Sequence, residues 1–206
     1  MELQETYLSI KSQIDERLKE FQEVGKDPIA RIREFVFCLC TPQTDAHKGW
    51  AAANQIVGQR VHKYPQDYIE SILRESGVRF HKTKTERIFK NLQQTEVLAN
   101  LLDHILSGND PKVMRHILVS SIYGYGMKEA SHFLRNVGKG QRICILDRHI
   151  LRKLAEYKVI KEVPKMTKKK YPEIEEKMIQ FADKIEIPVD SLDFVFWYQA
   201  KGEIFR

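Results

Sequence analysis

Ile122-Tyr123-Gly124-Tyr125-Gly126-Met127-Lys128-Glu129-Ala130-Ser131 is the stretch on which the reading of this chain turns. An apolar run with helical spacing leads into it through Val113, Met114, Ile117 and Leu118. Ala130, Phe133, Leu134 and Val137 carry the same spacing out of it, up to a stop at Gly138. The two glycines between these runs permit positive φ and close approach of another backbone. Two helices joined by such a turn leave N–H groups pointing outward at the second helix's N-terminus. The positive pole of that helix can hold a phosphate without reading the base attached to it. Gly124, Tyr125 and Gly126 are therefore placed against a DNA backbone. Taken alone, the four residues Tyr123 to Gly126 are better explained as an ordinary helix–helix turn, since Gly-x-Gly by itself is a weak signal.

Lys128 opens the second helix, and Asp147 follows nineteen residues later. A neutral lysine amine can attack an electrophilic carbon and form a Schiff base, although most lysines simply bind water or phosphate. In Asp147-Arg148-His149-Ile150-Leu151 the aspartate is a good N-cap for a helix running through Leu154. Capping and catalysis are compatible, because a capping carboxylate is rigid and ionised. It can stabilise positive charge developing nearby or assist proton transfer.

Outward from this centre, almost every segment reads as helix. Leu3, Tyr7, Ile10, Ile14, Leu18 and Phe21 recur at three- and four-residue intervals before Gly25. Ile32, Phe35, Val36, Leu39 and Cys40 repeat that spacing. Thr41-Pro42 has the chemistry of an N-cap followed by proline in the first helical position, predicting a helix through Trp50, Ala53, Ile56 and Val57. Asp110-Pro111 repeats the pattern, Pro172 opens a further helix, and Asp190 is read as the cap of the last. The longest alternating run is Arg142-Ile143-Cys144-Ile145-Leu146, a short apolar approach to Asp147. The fold class is all-α. A central block over residues 28–138, ending in the hairpin motif at about 111–138, is expected to face a second block built from residues 1–27 and 139–206.

The 206 residues suffice to bury a sizeable core, and 42% hydrophobic with 30% charged residues describe a globular chain. No apolar run approaches the roughly 20 residues that span a bilayer, and the N-terminus has no export pattern, so a cytoplasmic protein without a membrane partner is expected. Cys38, Cys40 and Cys144 are too few for an iron–sulfur cluster and too scattered for a disulfide framework. Cys38 and Cys40 read as small core residues. A net charge of +6 favours a polyanionic partner. The run Lys165-Met166-Thr167-Lys168-Lys169-Lys170 could touch phosphates or be a solvated loop.

With Ile145-Leu146-Asp147-Arg148-His149 added, the hairpin stretch resembles the helix-hairpin-helix DNA glycosylases. There, a lysine after the hairpin and a later aspartate mark bifunctional enzymes. Leu39-Cys40-Thr41-Pro42-Gln43-Thr44 is similar to the segment whose glutamine fills the space left by an extruded base. Small size, few cysteines and a tryptophan in the C-terminal helix resemble the prokaryotic type-2 8-oxoguanine DNA glycosylase/AP lyases most. The resemblance implies two packed helical subdomains with the active site in the cleft between them. It implies a monomer acting on double-stranded DNA that contains oxidised guanine, on nucleoid DNA in the cytoplasm, with no cofactor.

The implied mechanism begins with flipping of the damaged base into a pocket, with Gln43 at the vacated gap. Lys128 attacks the sugar, and β-elimination follows. The resemblance places Phe80 and Trp197 beside the base, though both are also explained as core aromatics. It also brings the C-terminus to the base. Here the chain ends in Arg206 where the resemblance leads one to expect lysine. Two alternatives remain at this stage: a glycosylase for oxidised pyrimidines or mismatched bases, and a non-catalytic helix-hairpin-helix module that grips DNA.

Overall fold

The apolar spacing along the chain becomes eleven α-helices in a computed structural model that describes residues 2–58 and 65–206, with no strand among the described residues. They are α1 (Glu2–Val24), α2 (Pro28–Cys40), α3 (Ala46–Gly58), α4 (Gln66–Glu75), α5 (His81–Leu92) and α6 (Thr95–Leu106). Then follow α7 (Pro111–Ser121), α8 (Met127–Asn136), α9 (Arg148–Glu156), α10 (Lys170–Lys184) and α11 (Val189–Lys201).

Two apolar cores form. One gathers α2 to α8 around Phe35, Phe37, Ile56, Ile88, Leu118 and Phe133. The other gathers α1 with α9, α10 and α11 around Ile14, Phe21, Leu154, Met178, Leu192 and Phe196. α8 serves both, since Ala130 and Leu134 belong to the first core and Met127 to the second. Between them, Arg115 of α7 donates two hydrogen bonds to Glu175 of α10, at 2.5 and 2.7 Å. Both side chains are buried. Removing either partner would strand the other's charge in the interior, a large penalty.

The link to Asp147 is buried through Ile143, Cys144, Ile145 and Leu146 and pairs with side chains instead of a sheet. Cys144 N donates to Glu175 at 2.8 Å, Leu146 N donates to the Tyr171 hydroxyl at 3.2 Å, and that hydroxyl donates to Cys144 O at 2.7 Å. Such bonds are needed, because an unpaired buried amide costs free energy comparable to a lost hydrogen bond. Burial pushes the Cys38 and Cys40 thiols up to about 12, so these residues serve as apolar filler.

Three helix starts differ from expectation. Thr41 does not open a helix; it closes α2, its N–H donating to Phe37 O at 3.1 Å, and Pro42 bars continuation. α3 begins only at Ala46, where Asp45 Oδ1 accepts from His47 N and Lys48 N at 3.1 and 3.3 Å. The carboxylate four residues on therefore takes the capping role from the threonine hydroxyl. Asp190 lies inside the first turn of α11, whose start is set by the extended backbone of Pro188. Pro172 lies two residues inside α10, in its first turn. As expected, Asp110 and Asp147 cap α7 and α9.

Candidate active site

The hairpin between α7 and α8 depends on glycine at one point above all. Gly124 has φ +94°, and a Cβ there would stand 2.5 Å from the Arg87 side chain. Asn91 braces the same turn, donating to Tyr123 O at 2.9 Å and to Arg87 O at 2.7 Å. Gly126 N donates to the Glu129 carboxylate at 3.1 Å, so that N–H is already engaged. Tyr125 turns its ring inward. It is buried, stacks on Phe35 and donates its hydroxyl proton to Phe35 O at 3.0 Å. Any contact of Tyr125 with a DNA backbone must therefore use its main chain.

α8 then carries Lys128 into a cavity of about 550 Å³, within the usual size of a ligand site. Its walls come from both cores: the Thr41–Ala46 loop and α8 on one side, the approach to α9, α11 and the C-terminus on the other. Lys128 and Asp147 both line it. Lys128 Nζ donates to Thr41 Oγ1 at 2.8 Å, which fixes the amine against the loop. Asp147 Oδ1 accepts from His149 N and Ile150 N at 2.7 and 2.8 Å. Among the described residues no hydrogen bond engages Oδ2, so half of this cavity-lining carboxylate is uncommitted.

The loop opposite is held from beneath. Lys84 of α5 is 2% exposed, and its ammonium donates to Cys40 O at 2.7 Å and to Pro42 O and Thr44 Oγ1 at 2.8 Å. Desolvation, helped by the Lys128 charge, lowers the Lys84 pKa to about 8. This clamp positions Gln43, which is exposed with φ +55° and lies in the loop, not on a helix cap as expected. On the far wall, the Asp193 carboxylate is pushed up to about 6 by burial, against the attraction of Arg135 at 3.0 Å.

Trp197 lines the cavity, its ring 6.2 Å from that of His149 in an edge arrangement. Phe80 does not. It is 54% exposed in a left-handed turn at the start of α5, with the Arg79 guanidinium 5.6 Å from its ring. Arg206 reaches the cavity, but its side chain is committed elsewhere. The guanidinium lies 3.8 Å over the Trp50 ring and pairs with the buried carboxylate of Glu34. The preceding residues tether the tail, with His47 bonded to Glu203 at 2.7 Å and its ring 4.0 Å from that of Phe205, tilted by 39°.

The structure thus gathers Lys128, Asp147, Gln43, Trp197 and Arg206 around one cavity and leaves Phe80 outside it. Sequence reasoning missed Thr41 as the lysine's partner, Lys84, the Arg135–Asp193 pair, and His132. Of these only His132 carried a local sign, four residues after Lys128 and so on the same helical face.

A family model described as 8-oxoguanine DNA glycosylase matches residues 14–187. A protein from Fusobacterium nucleatum, named 8-oxoguanine DNA glycosylase/AP lyase, is 36% identical over all of this chain and 96% of its own length. The crystal structure of the 8-oxoguanine DNA glycosylase of Thermotoga maritima superposes with a TM-score of 0.88 at 32% identity, covering 100% of this chain and 97% of that one. The Methanocaldococcus jannaschii 8-oxoguanine glycosylase/lyase in complex with 15mer DNA containing 8-oxoguanine gives a TM-score of 0.87 at 32% identity, with both chains fully covered.

Proposed function

The chain belongs to the family of 8-oxoguanine DNA glycosylases, and from that premise we infer that it is a bifunctional 8-oxoguanine DNA glycosylase/AP lyase. It flips the damaged base out of DNA, excises it and nicks the strand. The observation that carries the chemistry is the meeting of one amine and one half-free carboxylate, Lys128 and Asp147, in a cavity bounded by both cores.

Lys128 Nζ attacks the anomeric carbon, and the glycosidic bond breaks with its electron pair leaving on the base, which takes up a proton. Opening of the sugar gives a Schiff base between Nζ and that carbon. Loss of a proton from the adjacent carbon and departure of the 3′ phosphate then cut the strand by β-elimination. Asp147 stabilises the cationic sugar from its capped position. Thr41 holds the amine until substrate displaces it. Gln43, at the tip of the clamped loop, occupies the gap in the duplex.

Trp197 forms part of the base pocket. Arg206 contributes to that pocket through its main chain, because Glu34 and Trp50 already take its guanidinium. Phe80, exposed beside the cavity, reaches the base only if its turn moves. Gly124, Tyr125 and Gly126 follow the DNA backbone, and residues 28–138 form one subdomain against residues 1–27 with 139–206. The two separate apolar cores support that division. The enzyme acts as a monomer on nucleoid DNA in the cytoplasm, and no helix among the described residues is long and apolar enough to cross a membrane.

Duplexes carrying 8-oxoguanine, thymine glycol, uracil or no lesion test the reading. Cleavage should be fastest at 8-oxoguanine. Preference for thymine glycol would reassign the substrate, and tight binding without any cleavage would leave only a DNA-binding module.

A further inference from the structure

His132 is a buried polar side chain of the cavity wall with neither ring nitrogen spent on a hydrogen bond, a condition shared by Trp197, whose Nε1 is likewise unpartnered. His132 lies on α8 one turn after Lys128, is 6% exposed, and lines the same cavity. Neither Nδ1 nor Nε2 has a hydrogen-bond partner of normal geometry. The Phe37 ring meets it edge-on at 5.4 Å from below. The backbone of Arg206 approaches the ring closely enough to oppose the lowering of its pKa, although no hydrogen bond of normal geometry forms. Burial, with the charges of Lys128 and Arg135, drives its pKa well below the ordinary 6.5, so the ring is neutral.

A neutral imidazole has one N–H to donate and one lone pair to accept. Buried polar groups are nearly always satisfied, and a native exception calls for a reason. Here a reason is at hand, because the unsatisfied ring shares a wall with Lys128 and borders the cavity that Trp197 lines from the other side. An apolar ring of the same size would fill the space with less penalty. A planar base with both donors and acceptors on its edges supplies what the ring lacks.

We propose that His132 hydrogen-bonds the polar edge of the extruded base and so serves as a base-binding residue of the excision step. This rests on the glycosylase reading given above. It makes a distinction that the Lys128–Asp147 pair cannot make: the pair acts on the sugar whether or not a base is attached, whereas His132 matters only while the base is present.

Two substrates separate these roles: a duplex with 8-oxoguanine, followed by single-turnover base release, and a duplex with a preformed abasic site, followed by strand cleavage. His132→Phe keeps the ring shape and removes both nitrogens. Loss of one buried hydrogen bond should slow base release roughly tenfold to a hundredfold, while abasic-site cleavage changes less than about threefold. His132→Gln, which keeps a donor and an acceptor, should recover part of the loss. Base release by His132→Phe within about threefold of the parent overturns the proposal, and so does an equal fall in both reactions.

A second measurement avoids dependence on folding of that variant. In the Lys128→Gln protein, the His132 imidazole nitrogen resonances should shift on binding the 8-oxoguanine duplex but not a duplex with a stable abasic analogue. Identical spectra in the two complexes overturn the proposal. If the parent enzyme releases no 8-oxoguanine while cleaving abasic DNA, the substrate reading itself fails, an outcome unlike either of the others.

Discussion

Asp110 and Asp147 do the same thing locally and different things globally. Each caps a helix through Oδ1, Asp110 accepting from Lys112 N and Val113 N at 2.8 and 3.3 Å, Asp147 from His149 N and Ile150 N at 2.7 and 2.8 Å. Both have extended backbone, with φ −107° and ψ 110° at Asp110 and φ −86° and ψ 178° at Asp147, and neither that class nor the residue type tells them apart. The difference lies in what stands opposite. Asp147 faces the cavity that Lys128 enters, while Asp110 is not among its lining residues. On the proposed reading, a cap gains a catalytic duty when the fold sets it on the same cavity as an amine. The comparison teaches that chemistry here is an assignment of place, made by two cores meeting, on top of local structure that any helix start could supply.

Removing the amine should have the largest effect. Lys128→Gln should reduce strand cleavage at a preformed abasic site at least about 10³-fold, if its amine alone forms the imine. A smaller loss, measured under single turnover, would mean that another amine shares the role.

Asp147→Asn separates the two duties of that residue. Asparagine caps about as well as aspartate, so the melting temperature should stay within a few degrees of the parent. Loss of the negative charge should lower the cleavage rate roughly 10²- to 10³-fold. If rate and stability fell together, Asp147 would be no more than a second Asp110.

The wall opposite Asp147 can be loosened through Lys84. Lys84→Met leaves the carbonyls of Cys40 and Pro42 without their donor and should cost about 2 kcal/mol in denaturant unfolding. Its pH dependence has a defined sign. Folding lowers the Lys84 pKa to about 8 from 10.5, so between these values the unfolded chain holds more protons. Stability from this group therefore rises with pH across that window and is lost as pH falls through about 8. The parent should gain on Lys84→Met from pH 8 to 10, by about 1–2 kcal/mol. A gap that narrows instead would show that the clamp favours the ammonium more than burial opposes it.

The smallest effect belongs to the reference cap. Asp110→Ala should cost about 1 kcal/mol of stability and leave cleavage unaltered. Any drop in rate beyond what unfolding explains would place α7 closer to the chemistry than its cap suggests.

What could be read from sequence follows from the same distinction. The helices, the glycine turn, Lys128 and Asp147 are written in local pattern, as periodicity, a positive-φ glycine and a capping carboxylate. Thr41-Pro42 misled because the same dipeptide that opens helices also closes them, and only competition from Asp45 decides the outcome. Lys84 shows no sign in its own neighbourhood. Its meaning lies in three acceptors forty or more residues away. The resemblance brings the C-terminal Arg206 to the base, through either its side chain or its terminal carboxylate. Its guanidinium instead found Glu34, a partner that only the packing of the tail against α2 reveals.

The central claim is that Lys128 Nζ forms the covalent bond to the sugar. Reduction with borohydride during reaction of the parent enzyme with an 8-oxoguanine duplex, followed by proteolysis and mass spectrometry, locates the adduct. The account predicts it on the peptide containing Lys128 and nowhere else. An adduct on Lys84, Lys201 or the N-terminal amine would contradict it.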